Sequence, residues 1–173
     1  MNRIRSSIVI LAAAVIATAG CDLINGPSEL ERKVAAEQQI IKAYSAAVPG
    51  VDALKTTFLD AWKKANELKD FKAYKEALQT QVVPALGAYV TATAKMPAGA
   101  GELARIHKGM VDAVEKARVV FTKYADELTE ENLESGYQDV LREMEAVGAA
   151  RATYLEQLKV HYASFRVDLV QDK

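Results

Sequence analysis

Histidine, methionine and arginine side chains lie within the apolar stripes of this sequence, and side chains of these types commonly bind ligands. His107 and Met110 are three residues apart and therefore share one face of a predicted helix. Arg151 is the one charge in the middle of the last apolar stripe. We expect His107, Met110 and Arg151 to be the ligand-binding candidates, with the guanidinium of Arg151 binding an anion between helices.

Each of these side chains also has a purely structural interpretation. A histidine at the edge of an apolar stripe can hydrogen-bond to a neighbour within the core. Arg151 can reach solvent along its aliphatic stem, or it can pair with Glu37, which interrupts another stripe. Five tyrosines at helical spacing can line a pocket or simply fill the core: Tyr44, Tyr89, Tyr124, Tyr137 and Tyr154.

The two histidines are not expected to share a metal ion. If the chain turns at Glu130, His107 and His161 are offset by about 12 Å along the helix axes. The sequence also lacks the Glu-x-x-His motif of di-iron bundles, the C-x-x-C-H haem attachment and the Gly-x-Ser-x-Gly of hydrolases. We therefore predict no metal site, no cofactor and no catalytic residue, and we do not expect an enzyme.

Cys21 is the only cysteine, and it follows a segment with the three parts of an export signal. Arg3 and Arg5 form the basic start, residues 8–17 form an apolar core, and Ala19 and Gly20 are the small residues before a cleavage site. The apolar core is too short for a durable membrane span, which needs about 20 residues. We therefore predict that residues 1–20 are a cleaved signal peptide.

The residues Thr18-Ala19-Gly20-Cys21 resemble the lipobox of bacterial lipoproteins. The resemblance implies that the chain is cut before Cys21 and that this cysteine carries the lipid. Residues 21–27 would then be a short membrane tether, and residues 28–173 a bundle that faces the periplasm or the outside. Whether the anchor lies in the cell membrane or the outer membrane stays open.

Apolar residues recur at helical spacing along the rest of the chain, and no strand pattern is present. The pattern predicts helices over residues 28–69, 70–95, 102–128 and 132–170. Ser28 with Glu31 forms a predicted capping box, and Asp70 is a predicted N-cap. Because the connections are short, the fold class is predicted as all-α, an antiparallel up-down four-helix bundle.

Two prolines lie inside these helical patterns. The apolar stripe keeps its phase across Pro49-Gly50, which favours one kinked helix over a hairpin of two short helices. Pro84 is predicted to kink the second helix, because it lacks a backbone donor and crowds the preceding turn.

Two function classes are compatible with these features. The predicted anchor and the lack of a catalytic motif favour a cell-envelope protein that interacts with an envelope partner. Alternatively, a bundle with a histidine and a methionine is similar to the periplasmic b-type cytochromes, which implies a small ligand or a haem-like cofactor between helices. The 22 basic and 23 acidic side chains argue against nucleic acid as a partner.

Overall fold

The computed structural model describes residues 26–167 of the chain, and every regular element in this range is helical. Cys21 and the predicted signal peptide lie outside the described residues. The all-α four-helix bundle predicted from the sequence is confirmed. The elements are α1 (Glu29–Asn66), α2 (Phe71–Ala77), a π-helical turn (Leu78–Val82), α3 (Val83–Ala94), α4 (Glu102–Glu127) and α5 (Leu133–Ser164).

The predicted helix starts are confirmed at α1 and α2. The Ser28 hydroxyl accepts the backbone N–H of Glu31 at 3.2 Å, and the Glu31 carboxylate accepts the backbone N–H of Ser28 at 2.7 Å. At α2, the Asp70 carboxylate accepts the backbone N–H of Ala73 at 2.7 Å. These contacts satisfy donors that a helix start otherwise leaves unpaired.

Pro49 lies within one continuous helix, so the interpretation of residues 28–69 as a single helix is confirmed over the split alternative. The side chain of Pro49 is on the exposed face of α1. Because proline has no N–H, the carbonyl of Ser45 lacks the backbone donor that it would normally have four residues ahead.

Pro84 is accommodated by a change in helix type. Directly before it, the chain forms the π-helical turn, in which the N–H of Val83 bonds to the carbonyl of Leu78, five residues back. Pro84 then occupies the second position of α3, directly after the π-helical turn. The wider turn leaves the side chains of Leu78 and Val82 fully buried.

The core is divided into two clusters of buried side chains. The larger one, here called the central core, includes Phe58, Leu86, Phe121 and Val140. The smaller one, here called the second core, includes Ile41, Tyr44, Leu103, Leu158 and Tyr162. Tyr154 is half-buried and packs against both clusters.

The bundle is open between its first and last helices. The backbones of α4 and α5, α1 and α3, and α3 and α4 pack closely, whereas α1 and α5 approach each other much less. No side chain is fully buried between Tyr44 and Phe58 in α1, or between Val140 and Leu158 in α5. Among the helices of residues 26–167, none combines the length and the apolar character that a membrane span requires.

Candidate functional site

A cavity of about 420 Å³ lies where the middle of α1 faces the middle of α5. All three residues predicted as ligand-binding candidates, His107, Met110 and Arg151, line this one cavity. The volume is within the range of about 300–1,000 Å³ that is typical of small-molecule sites. The walls combine aliphatic side chains with three tyrosines: Val48, Val51, Leu155, Leu158, Tyr89, Tyr154 and Tyr162.

His107 is buried at the inner wall of the cavity and uses both of its ring nitrogens. Nε2 lies 2.9 Å from the carbonyl oxygen of Thr93, and Nδ1 lies 2.7 Å from the hydroxyl of Tyr44. A carbonyl can only accept, so Nε2 carries the proton. Burial lowers the pKa of His107, which keeps the ring neutral and leaves Nδ1 to accept the proton of Tyr44.

The next hydrogen bond, between Tyr44 and Tyr154, also has a defined direction. The hydroxyls of Tyr44 and Tyr154 are 2.5 Å apart. Because Tyr44 donates its single proton to His107, its oxygen must accept the proton of Tyr154. Burial raises the pKa of Tyr44 and raises that of Tyr154 to about 12, so both phenols keep their protons at neutral pH. The Tyr154 oxygen is left as an acceptor at the cavity wall.

This chain of hydrogen bonds runs Tyr154, Tyr44, His107, Thr93 and connects α5, α1, α4 and α3. His107 could ligate a metal only by giving up its hydrogen bond with Tyr44 or with Thr93. The geometry therefore gives His107 a structural role, because its hydrogen bonds hold Tyr44 and, through it, Tyr154 in place at the cavity wall. It does not support a haem-like site on His107 and Met110.

Arg151 is the cationic side chain of the cavity lining. Its side chain is exposed, as expected for a guanidinium that extends to solvent. Among the described residues, no carboxylate lies within 4 Å of it. On the α1 side of the cavity, Asp52 is 2.8 Å from the ammonium of Lys55.

The suggested pair of Arg151 with Glu37 is wrong. The Glu37 carboxylate instead lies 3.0 Å from Nε2 of His161. The reason is the antiparallel register of α1 and α5, in which Glu37 faces His161 and Tyr44 faces Tyr154. Arg151 therefore faces a segment of α1 that lies about 15 Å beyond Glu37 along the axis.

Both histidines are hydrogen-bonded to neighbours, His107 through Tyr44 and Thr93 and His161 through Glu37. Within residues 26–167, no group of three or more histidine, cysteine, aspartate or glutamate side chains could hold a metal ion.

The tyrosines divide between the cavity and the core. Tyr89 and Tyr154 line the cavity, and Tyr44 stands behind Tyr154. Tyr124 lies in the central core with its hydroxyl 3.2 Å from that of Tyr74, and Tyr137 accepts a hydrogen bond from Asn66 at 3.3 Å. The helical spacing of the tyrosines in the sequence did not distinguish those at the cavity from those that lie elsewhere in the bundle.

Several lining residues were missed by the sequence analysis. The Ser45 hydroxyl is 3.1 Å from the Tyr162 hydroxyl, and both residues line the cavity together with Asp52, Thr93 and Met96. The sequence did contain one indication of this segment. Pro49, four residues after Ser45 in the same helix, also lines the cavity.

Comparison of this chain with protein-family models, curated proteins and solved structures gives no match to any of them.

Proposed function

We propose that this protein binds a small ligand in the cavity between α1 and α5. The observation that carries the proposal is that one open cavity collects His107, Met110 and Arg151. Its wall is ordered in advance by hydrogen bonds from Tyr154 through Tyr44 to His107. A wall held in one arrangement before binding loses less conformational entropy when a ligand enters.

A matched pair of substitutions in α5 tests this proposal. Leu155 lines the cavity and is 36% exposed, whereas Leu133 is 37% exposed and is not part of the cavity lining. Leu155→Trp should fill the entrance, and Leu133→Trp should add the same ring elsewhere on the helix. Because both side chains are partly exposed, neither change forces a large ring into a packed core.

The measurement is a thermal-shift screen of the full chain, reconstituted in nanodiscs, against a panel of small organic acids, amides and amines. We expect at least one class of compound to raise the melting temperature in a concentration-dependent way. Leu155→Trp should weaken that binding at least tenfold, and Leu133→Trp should not. If no compound binds, or if both variants bind as the unchanged chain does, the proposal is wrong.

The lipid anchor is a second proposal, supported by the resemblance of Thr18-Ala19-Gly20-Cys21 to a lipobox. It would hold the bundle near the membrane, because residues 21–27 span at most about 25 Å when extended. The Cys21→Ser variant should accumulate as an unprocessed precursor that takes up no labelled fatty acid. Lipidation of that variant at the normal level would contradict the anchor.

Interaction with an envelope partner stays a prediction from the sequence. Crosslinking in intact cells followed by co-purification would test it. A chain that is recovered alone at native expression levels would count against this function.

A further inference from the structure

The positive and negative side chains around the cavity do not cancel each other. Its lining contains two charged side chains, Asp52 and Arg151. The Asp52 carboxylate is compensated by Lys55 at 2.8 Å. No described carboxylate compensates Arg151 within 4 Å, so the entrance carries an excess positive charge.

The sequence around Arg151 explains why no carboxylate of its own helix pairs with it among the described residues. Arg105, Arg118 and Arg142 each pair with a carboxylate three residues earlier in the same helix. Three residues before Arg151 stands Gly148, and the other positions one turn away hold Val147, Tyr154 and Leu155. Helix α5 therefore offers no local partner for this guanidinium, although a partner of that kind is present at Arg105, Arg118 and Arg142.

The interior of the cavity has a different character. Behind Arg151 the walls are largely apolar, with Val48, Val51, Met110 and Leu158 among the lining side chains. An inorganic anion would leave these walls uncovered, and a solvated guanidinium alone holds such an ion weakly. A cation would meet Arg151, whose charge repels it, and Asp52, which is already paired.

We propose that the ligand is an organic monoanion, with a carboxylate that pairs with Arg151 at the entrance and an apolar body that fills the cavity. This inference rests on the proposed function and adds the chemical class of the ligand. A guanidinium matches a carboxylate with two parallel hydrogen bonds, which orients the bound molecule as well as attracting it.

Three probes of the same shape separate charge from size: 3-phenylpropionate, its amide 3-phenylpropionamide, and 3-phenylpropylamine. Their affinities for the full chain in nanodiscs are measured by titration calorimetry at pH 7.5, with empty nanodiscs and sodium sulfate as controls. We expect the carboxylate to bind at least tenfold more tightly than the amide. The amine and sulfate should give no saturable binding.

Arg151→Gln removes the charge and keeps a polar, though shorter, side chain. It should weaken binding of the carboxylate about tenfold and leave binding of the amide unchanged. Arg142→Gln is the matched control, because Arg142 lies on the same helix, pairs with Asp139 at 2.7 Å, and is not part of the cavity lining. This control should bind all probes as the unchanged chain does.

The outcomes separate this inference from the proposed function. If the amide or the amine binds as tightly as the carboxylate, or if Arg151→Gln has no effect, the inference is wrong. The proposed function still stands in those cases, provided that Leu155→Trp abolishes the binding observed. If the carboxylate does not bind at all, the inference is also wrong, and the wider compound panel then decides the proposed function by itself.

Discussion

At the scale of single residues, His107 is the side chain around which the site is organised. It is 6% exposed and bridges the Tyr44 hydroxyl on α1 and the Thr93 carbonyl at the end of α3. A buried imidazole with both nitrogens partnered avoids the cost of an unsatisfied polar group. The two partners of His107 therefore determine which of its ring nitrogens carries the proton. They also determine the direction in which the Tyr44 hydroxyl points, so that Tyr154 donates to Tyr44 and presents its oxygen as an acceptor to the cavity.

Removal of the Tyr44 hydroxyl should show how much this hydrogen-bond network contributes to the free energy of unfolding. Tyr44→Phe leaves Nδ1 of His107 without a donor and the Tyr154 hydroxyl without its acceptor. We expect the free energy of unfolding to fall by about 1–3 kcal/mol, measured by urea denaturation. Tyr137→Phe is the control, because it removes only the 3.3 Å contact with exposed Asn66, and it should cost less than about 0.5 kcal/mol. Equal losses in the two variants would contradict a special role of the network.

The buried His107 should also make the stability of the fold depend on pH. Burial lowers its pKa in the folded state, so below about pH 6.5 the unfolded chain binds a proton that the folded chain does not. Stability contributed by neutral His107 is therefore present above pH 6.5 and is lost as the pH falls. Between pH 7.5 and pH 5.5 we expect the unchanged chain to lose up to about 1.4 kcal/mol more than His107→Gln. Parallel stability curves for the two proteins, from urea unfolding at each pH, would show that His107 does not titrate in this way.

At the scale of secondary-structure elements, the helices accommodate Pro49 and Pro84 in different ways. Pro49 lies in a continuous α1, where its ring is on the exposed face and only the Ser45 carbonyl loses a donor. Pro84 directly follows a π-helical turn in which the N–H of Val83 bonds to the carbonyl of Leu78, and the Leu78 side chain stays in the core. The common sequence rule that proline kinks a helix does not separate these outcomes, and neither does exposure, because both prolines are exposed.

Two glycines of α5 should respond oppositely to alanine. A Cβ at Gly136 would lie 2.6 Å from a ring carbon of Tyr124, which is buried and hydrogen-bonded to Tyr74, whereas a Cβ at Gly148 meets nothing within 4 Å. Gly148→Ala should stabilise the protein by about 0.5–1 kcal/mol through helix propensity. Gly136→Ala should destabilise it by about 1–3 kcal/mol through overpacking. Thermal and urea unfolding of both variants check the signs, and a stabilised Gly136→Ala would show that Tyr124 can move.

At the scale of the whole molecule, the interface between α1 and α5 is held by side chains that reach across a gap. Its hydrogen bonds occur at intervals along the two helices, and the cavity lies between them. These contacts are Gln38 to the Phe165 carbonyl, Glu37 with His161, Ser45 with Tyr162, Tyr44 with Tyr154, and Asn66 with Tyr137. The other three sides of the bundle pack by closer contact of the helices.

Because the α1–α5 side is more open than the other sides of the bundle, we expect α5 to be locally less stable than α4. Helix α4 buries side chains along its length, whereas α5 has none fully buried from residue 141 to residue 157. Backbone amides in residues 147–154 should therefore exchange hydrogen faster than those in residues 106–121 of α4. Hydrogen-exchange mass spectrometry measures both segments, and a bound carboxylate should slow exchange in residues 147–154 specifically. Uniform protection of the two helices would contradict an open α1–α5 side.

The sequence by itself determined the four-helix bundle and its helix starts at Ser28 and Asp70, and it singled out three residues that line the cavity, His107, Met110 and Arg151. These features follow from short-range physics: apolar spacing selects the buried face of a helix, and a side chain three residues away satisfies the first free N–H groups. Polar residues within such a stripe are recognisable because each must find a partner or reach solvent.

The tertiary structure alone decided which of these residues lie together. The register of α5 against α1 pairs Glu37 with His161, so that Arg151 faces the cavity without a carboxylate within 4 Å among the described residues. The same register joins Tyr44 to Tyr154, while Tyr124 and Tyr137, at equivalent spacing, lie elsewhere. No local pattern encodes these differences, because register and the width of the gap between two helices are set by the packing of all four sides of the bundle at once.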